Sequence, residues 1–254
     1  MQDKKLHLRN VTKSFGGRKV VDVPDLAMGT HGIEGLIGPN GAGKTTLINL
    51  ISHKLKMDTG QVLYYSDGVE HDISGRPIDQ IARSGMVRTN QIIQDFASLT
   101  IRDSLLLSLA TPMHEQFYKI YSENTLRQAA EKEIEEYLDY FHFDNPDQHA
   151  LSAGEKKLLD IIRCLLLKPK VLLMDEPTCG LPQDQTERVI EMMRKKTAEE
   201  GMSILIVEHD LDLIWGVCEN VYFMAEGTIQ IQGPPEEVKS HKTVVEKYMG
   251  EGIA

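Results

Sequence analysis

The sequence has few cysteines, no excess of positive charge and no long apolar run. Its three cysteines show neither metal-ligand nor redox spacing, and they fit a reduced compartment. The formal net charge of −10 disfavours a nucleic-acid partner, because phosphate backbones select basic surfaces. No apolar run approaches the roughly 20 residues that a membrane-spanning helix needs, and residues 1–7 lack the apolar core of a secretion signal. We therefore expect a cytoplasmic protein in which Cys164 and Cys218 pack internally.

The composition is that of a globular protein, since 41% of the residues are hydrophobic and 26% are charged. With 254 residues the chain is long enough to bury a core. The apolar segments Val171–Met174 and Ser203–Val207 enclose a helical stretch, Gln185–Glu199, and this alternation predicts a parallel sheet covered on both faces. The segment Tyr222–Gln232 is predicted to form two antiparallel strands around a Glu226-Gly227 turn. The predicted fold class is α/β.

The most informative segment is a glycine-rich loop between an apolar run, Ile33–Ile37, and a helix-forming stretch, Thr45–Leu55. This strand–loop–helix context is typical of a phosphate-binding loop rather than an ordinary glycine-rich turn. Backbone N–H groups and the start of the helix would face the anion, Lys44 would reach the β- and γ-phosphates, and the Thr45 hydroxyl would ligate Mg²⁺. The sequence therefore predicts a site for a nucleoside triphosphate. The loop residues are Gly38, Pro39, Asn40, Gly41, Ala42, Gly43, Lys44 and Thr45.

Two carboxylates end the apolar segment Val171–Met174. Asp175, at the carboxyl end of the strand, is predicted to hold Mg²⁺ through water. Glu176 is predicted to point toward the water that attacks the γ-phosphate, and Pro177 to keep Glu176 extended rather than helical. A solvated Asp-Glu-Pro turn is the structural alternative for this segment taken alone.

The segment Leu151–Glu155 supports two interpretations. Ser152 and Glu155 form a Ser-x-x-Glu capping box, which starts a helix. A helix start with a free hydroxyl and a glycine, Gly154, also suits a terminal phosphate. The two roles are compatible.

A helical region is predicted from about Phe96 to Phe143. Ile101–Leu109 has apolar residues at helical spacing, and Ser122–Phe141 is long, charged and amphipathic. The charged run 131–136 is interpreted as a solvated helix face rather than an acidic binding site, because its side chains pair one turn apart.

Taken in order, the motifs resemble those of the ATP-binding subunits of ABC transporters. The ordered set covers essentially the whole chain, and its members are the phosphate loop, Gln91, the signature segment Leu151–Glu155, the Asp175-Glu176 strand end and Glu208-His209-Asp210. Three further segments resemble the branched-chain amino acid and urea-type importer ATPases: 87–91, 99–105 and 235–250.

The resemblance implies a P-loop NTPase core with a mainly parallel sheet, an antiparallel β subdomain and an inserted helical subdomain. It implies a single ABC ATP-binding domain over residues 1–254. Within it, residues 1–91 and 160–254 are expected to form the ATP-binding core and β subdomain. Residues 92–159 are expected to form the helical subdomain, which includes the signature segment.

The resemblance also implies that the chain hydrolyses ATP, with Mg²⁺, to power a membrane transporter. An importer of branched-chain amino acids, amides or urea is favoured. The implied partners are a second ATP-binding subunit, identical or homologous, and membrane permease subunits. The implied location is cytoplasmic, peripheral on the inner face of the cell membrane. The alternatives are an ATPase of a lipid or polysaccharide exporter, a soluble non-transport ABC protein, and a P-loop kinase or GTPase.

Residue roles follow from the resemblance by position. Phe15 would stack on adenine with Val20 beside it, Gln91 would contact Mg²⁺ and the attacking water, and His209 would hold the γ-phosphate and steady Glu176. Taken alone, Phe15 also fits a core aromatic, and His209 also fits a capping or core histidine. The residues implied for ATP binding are Phe15, Val20, Gly38, Pro39, Asn40, Gly41, Ala42, Gly43, Lys44, Thr45 and Thr46. Those implied to bind ATP on a second subunit are Ser152, Ala153, Gly154 and Glu155. The implied catalytic residues are Glu176, His209 and Gln91, and the implied metal ligands are Thr45, Gln91 and Asp175.

Several positions depart from the family pattern. Ala153 stands where glycine is usual and Glu155 where glutamine is common. Asn90 stands where the importer subfamily has phenylalanine. The stretch Gly180-Leu181-Pro182 replaces an aspartate-bearing stretch that links the two sites across a dimer. Glu34 is a charged residue within an otherwise apolar strand, and the sequence gives no reason for it.

Overall fold

The computed structural model describes residues 4–89, 99–110, 124–143, 145 and 151–249. Within these ranges the strands are β1 (Leu6–Phe15), β2 (Arg18–Met28), β3 (Ile33–Ile37), β4 (Thr59–Ser66), β5 (Val69–Asp72), β6 (Met86–Arg88), β7 (Val171–Asp175), β8 (Ser203–Val207), β9 (Asn220–Ala225) and β10 (Thr228–Gly233). The helices are α1 (Lys44–Ile51), α2 (Ile78–Arg83), α3 (Ile101–Ala110), α4 (Asn124–Tyr140), α5 (Ala153–Leu166), α6 (Gln183–Glu200), α7 (Leu211–Val217), α8 (Pro235–Ser240) and α9 (Lys242–Met249).

The strands form two sheets. A six-stranded sheet has the order β10-β9-β3-β8-β7-β6, in which only the β9–β10 pair is antiparallel. A four-stranded antiparallel sheet has the order β2-β1-β4-β5. In the large sheet Val207 pairs with both Leu36 and Asp175, so β3, β7 and β8 end at one edge. Ligands of open α/β sheets bind at this carboxyl edge.

Both faces of the large sheet are buried. Alternate residues of a strand point to opposite faces, and each face packs against its own hydrophobic cluster. Leu172 and Met174 of β7 belong to one hydrophobic cluster, which also contains residues of α3, α4 and α5. Val171 and Leu173 belong to the other cluster, which also contains residues of α1 and of the four-stranded sheet. This arrangement of helices, mainly parallel sheet and antiparallel sheet confirms the predicted α/β P-loop fold class.

Most predicted elements are present, with different bounds. Helix α1 ends at Ile51 rather than Leu55, because His53 takes a left-handed φ of 58°. Helix α7 was not predicted, although Asp210 caps it by accepting hydrogen bonds from the Asp212 and Leu213 N–H groups. Strand β5 and helix α8 were likewise not predicted.

Three expectations from composition can be compared with the structure. Cys164 and Cys218 are buried, as predicted, while Cys179 is exposed. In the part of the chain that is described, no helix combines the length and apolarity needed to cross a bilayer. The charged face of α4 carries an ion pair one turn apart, between Lys132 and Glu136, as predicted for the charged run.

Glu34 has a structural explanation. Its side chain is buried, and its carboxylate accepts hydrogen bonds from the Gly29 N–H (2.7 Å), the Thr30 N–H (3.1 Å) and the Tyr222 hydroxyl (3.2 Å). A buried carboxylate needs such donors to compensate for lost hydration. Glu34 therefore fixes the connection between β2 and β3, immediately before the strand that leads to the phosphate loop.

Candidate functional site

The phosphate loop connects β3 to α1 at the carboxyl edge of the large sheet. Gly38 has a φ of 153°, and a Cβ atom there would lie 2.0 Å from the Met224 carbonyl oxygen. Gly43 has a φ of 104°, and a Cβ atom there would lie 2.6 Å from the Val20 carbonyl oxygen. Side chains are excluded at both positions by backbone geometry and by close approach of neighbouring strands. The loop conformation therefore depends on these glycines.

Lys44 lies within the curve of the loop. Its side-chain ammonium donates hydrogen bonds to the carbonyl oxygens of Gly38 (2.6 Å) and Pro39 (3.1 Å), and the residue is buried. The loop borders a cleft of about 200 Å³ that is lined by Val20, residues 40–46 and His209. The structure therefore brings the predicted phosphate-binding residues together with two side chains from distant parts of the sequence.

Phe15 ends β1 and is 49% exposed, so it is not a core aromatic. It does not line the cleft at the phosphate loop. Its ring faces the Lys13 ammonium, which lies 5.5 Å from the ring centroid. An exposed aromatic face near the end of a strand is available for stacking.

Asp175 is buried at the end of β7 and pairs with Arg88 from β6. The Arg88 Nη2 atom lies 3.1 Å from Asp175 Oδ2, while Arg88 Nη1 also donates to Ser52 Oγ at 3.2 Å. Among the described residues, Asp175 Oδ1 is buried without a hydrogen-bond partner. Burial raises the pKa of the Asp175 carboxyl, and the Arg88 guanidinium partly offsets this effect. A buried oxygen without a donor fits the predicted metal ligand, because Mg²⁺ prefers carboxylate oxygens.

Of the other two predicted metal ligands, the structure describes Thr45 but not Gln91. Thr45, at the start of α1, lines the cleft with Lys44. Gln91 and the neighbouring Asn90 lie outside the described residues, so the role of Gln91 stays a prediction.

Glu176 does not have the extended conformation that was predicted. Its φ is 50°, in the left-handed region, so that prediction was wrong. Pro177 disfavours a right-handed helical conformation at Glu176 but leaves other regions accessible. The Glu176 N–H donates to the Val207 carbonyl oxygen at 2.8 Å, and the chain turns away from the sheet immediately afterwards. A non-glycine residue in this conformation persists where its surroundings hold it, which is common at functional sites.

His209 contacts Glu176 directly. Its Nε2 atom lies 3.0 Å from Glu176 Oε1, and its side chain is 53% exposed, so it is not a core histidine. Glu176 and His209 also line a second cavity, of about 600 Å³, together with residues of α6 and α7. His209 therefore borders both the phosphate loop and the Glu176 carboxylate.

Sequence reasoning assigned no role to three residues that hold this edge of the sheet: Arg88, Lys157 and Glu208. Lys157 Nζ donates to the carbonyl oxygens of Glu176 and Cys179, each at 2.7 Å. The buried Glu208 carboxylate accepts from the Thr178 N–H (2.8 Å) and hydroxyl (2.7 Å). Glu208 follows an apolar strand directly, which is the signal that singled out Asp175. No local sequence pattern predicts that Arg88 contacts Asp175 or that Lys157 contacts the carbonyl oxygens of Glu176 and Cys179.

The signature segment forms the capping box that its spacing predicted. The Ser152 N–H donates to Glu155 Oε2 at 2.8 Å, and the Glu155 N–H donates to Ser152 Oγ at 3.2 Å. Glu155 therefore completes the capping box, which accepts glutamate or glutamine at this position. Ser152, Ala153, Gly154 and Glu155 do not line the cleft at the phosphate loop.

Replacing Arg88 with methionine is expected to lower the free energy of unfolding by about 3–5 kcal/mol, because it leaves the Asp175 carboxylate buried without its counter-ion. The Arg88 and Asp175 side chains are only 8% and 1% exposed, so solvent screens this pair weakly. Urea unfolding measures the change. Arg83→Met is the control, since Arg83 makes an exposed pair with Asp79 at 3.9 Å and its loss should cost less than about 1 kcal/mol. Equal losses in the two variants would contradict the prediction.

Comparisons with known proteins agree with this geometry. Residues 23–179 match the family model described as ABC transporter. The chain is 30% identical to the high-affinity branched-chain amino acid transport ATP-binding protein LivG of Escherichia coli K12, over 97% of this chain and 98% of that protein. It is 34% identical to a probable LivG of Methanocaldococcus jannaschii, over 97% of each chain.

A solved ATP-binding cassette of an ABC transporter, in its ADP conformation, superposes with a TM-score of 0.80 at 30% identity, over 98% of this chain and 100% of that chain. The range that the family model matches, residues 23–179, includes the phosphate loop, the signature segment and the Asp175-Glu176 strand end. These matches show that the chain belongs to the ABC transporter family, as an ATP-binding subunit that hydrolyses ATP.

Proposed function

We propose that this chain powers an importer of branched-chain amino acids. Amides or urea are the alternative substrates of the importer. The observation that carries the proposal is that relatives matching nearly the whole chain, in a bacterium and an archaeon, are named as branched-chain amino acid transport ATP-binding proteins. Membrane permease subunits are the partners in this proposal, and the chain is placed on the inner face of the cell membrane through them.

The proposed ATP site is the cleft at the phosphate loop. Phe15 stacks on the adenine ring beside Val20, and Lys44 neutralises charge on the β- and γ-phosphates. Thr45, Gln91 and Asp175 would hold Mg²⁺, which would neutralise negative charge on the triphosphate. Two observations support this assignment: Val20 and Thr45 line the same cleft, and Asp175 has a buried oxygen without a hydrogen-bond donor among the described residues.

The proposed general base is Glu176. It orients the attacking water and accepts its proton, while His209 steadies the carboxylate from 3.0 Å and reaches the γ-phosphate from the rim of the cleft. Gln91 contributes a further contact to the water. Positioning and charge neutralisation account for most catalysis in reactions of this type.

A second ATP-binding subunit, identical or homologous, completes the proposed site. Ser152 and Ala153 are exposed and Gly154 and Glu155 are half-buried, and this helix start does not line the chain's own cleft. We assign this helix start to the γ-phosphate of ATP held by the second subunit, because helix N-termini bind anions. ATP then joins the two subunits, and hydrolysis lets them part.

The domain division is part of the proposal. Residues 1–91 and 160–254 form the ATP-binding core and β subdomain, and residues 92–159 form the helical subdomain. Helices α3 and α4 lie wholly within residues 92–159, which supports this division, whereas α5 continues across the boundary at residue 160.

Uptake in the native cell tests the transport assignment. A chromosomal Glu176→Gln substitution is expected to abolish uptake of radiolabelled leucine, isoleucine and valine. Glu187→Gln is the matched control, because Glu187 lies on the wall of the neighbouring cavity and is exposed. Loss of urea or amide uptake with unchanged leucine uptake would move the cargo to the other class. Unchanged uptake of all of these solutes would contradict the proposal.

A further inference from the structure

Lys157 makes two contacts at the site that the proposed function does not use. This residue lies on α5, one helical turn after Ala153 and Gly154. Its ammonium bridges two main-chain carbonyl oxygens of the turn after β7, those of Glu176 and Cys179, at 2.7 Å each. One side chain of the signature helix thus holds both ends of the turn that begins with the proposed general base.

The Glu176 peptide needs such contacts, because its left-handed φ of 50° is rare for a residue with a side chain. Its N–H is fixed by the Val207 carbonyl oxygen at 2.8 Å. Lys157 fixes the carbonyl on the other side of the same residue. With both flanking peptide groups held, the direction of the Cα–Cβ bond is set, and with it the place of the carboxylate.

The rest of the turn has a separate anchor. Thr178 donates its N–H and its hydroxyl to the buried Glu208 carboxylate, at 2.8 and 2.7 Å. Glu208 belongs to the segment after β8, whereas Lys157 belongs to the helix whose start carries Ser152 and Gly154. Of these two anchors, Lys157 is the one that connects Glu176 to the signature segment.

We infer that Lys157 is a positioning residue for Glu176. It makes the orientation of the Glu176 carboxylate depend on the position of α5, the helix whose start contacts ATP on the second subunit. The inference rests on the proposed role of Glu176 as general base. A lysine suits the position because an ammonium donates up to three hydrogen bonds. Hydrogen bonds from a charged donor are also stronger than neutral ones.

Steady-state kinetics of Lys157→Met and Lys157→Arg test the inference. The methionine variant is expected to lower kcat roughly 10- to 100-fold with KM for ATP within about twofold, because misplacing a catalytic group slows the chemical step more than it weakens binding. Lys157→Arg is expected to recover most of kcat, since arginine can also donate to both carbonyls. Lys239→Met, at an exposed lysine of α8, is the control and should match the wild type.

A double variant separates positioning from a merely structural role. If Lys157 acts through Glu176, Lys157→Met should change the residual kcat of Glu176→Gln by less than about twofold, because the carboxylate it positions is already gone. An equal fall of kcat in both backgrounds, or no rescue by arginine, would overturn the inference, as would a wild-type kcat in Lys157→Met.

The two proposals fail in different ways. If Glu176→Gln alone retains wild-type turnover, the assignment of Glu176 as general base fails and the inference fails with it. If Glu176→Gln is inactive and Lys157→Met is fully active, only the inference about Lys157 fails.

Discussion

Glu176→Gln is expected to lower ATP turnover by roughly 10²- to 10⁴-fold, since an amide cannot accept the proton of the attacking water. The substitution keeps the size of the side chain and an oxygen that can face His209 Nε2, now 3.0 Å from Glu176 Oε1. ATP affinity should stay within a few-fold of the wild type, because the phosphate loop is unchanged. Phosphate release and the binding of a fluorescent ATP analogue measure the two effects separately.

The same variant should accumulate as a dimer in the presence of ATP, because hydrolysis no longer separates the subunits. Size-exclusion chromatography with light scattering reports the mass of the complex. Glu187→Gln, at a neighbouring exposed carboxylate, should behave as the wild type. Turnover at the wild-type rate in Glu176→Gln would rule out the assigned base.

Gly154→Asp is expected to lower ATP turnover strongly without disturbing the fold of the subunit. A Cβ atom at Gly154 would lie 3.5 Å from Leu181 Cδ2, an ordinary van der Waals contact, so this chain's own packing does not require glycine there. In the proposed dimer the new carboxylate faces a γ-phosphate. Like charges about 4 Å apart repel by about 4 kcal/mol at an effective dielectric constant of 20, enough to lower turnover by roughly 10²- to 10³-fold.

The control for this variant is the same substitution at another helical glycine. A Cβ atom at Gly216, in α7, would meet no atom within 4 Å, so Gly216→Asp should retain activity. Gly154→Ala separates size from charge and should lose less activity than Gly154→Asp. Thermal unfolding of each variant measures whether its fold is as stable as that of the wild type. Equal turnover in Gly154→Asp and Gly216→Asp would contradict a phosphate contact at position 154.

The sequence predicted those parts of the site that are encoded locally. Lys44 and Thr45 are recognisable because the strand, loop and helix are contiguous, and Asp175 is recognisable because it ends an apolar strand. The motif order also predicted the fold class, which the two sheets and their helices confirm. Such patterns depend on neighbours in the sequence, so a single chain is enough to find them.

Contacts between distant segments could not be predicted in the same way. Arg88 meets Asp175 only because β6 pairs with β7. Lys157 meets Glu176 only because α5 and β7 pack in the same hydrophobic cluster. The left-handed conformation of Glu176 results from tertiary contacts that override the local preference set by Pro177. The burial of Glu34 likewise depends on Tyr222, far along the chain.

The most direct test of two half-sites on separate chains is to mix two inactive variants, Glu176→Gln and Gly154→Asp, and to measure ATP turnover. In a mixed dimer one site combines an intact phosphate loop, Asp175 and Glu176 from one chain with an intact signature segment from the other. Random pairing of equal amounts predicts that about a quarter of wild-type turnover returns, since half the dimers are mixed and each has one complete site. If each chain instead completed its own site, the mixture would stay as inactive as its components, and the account would be contradicted.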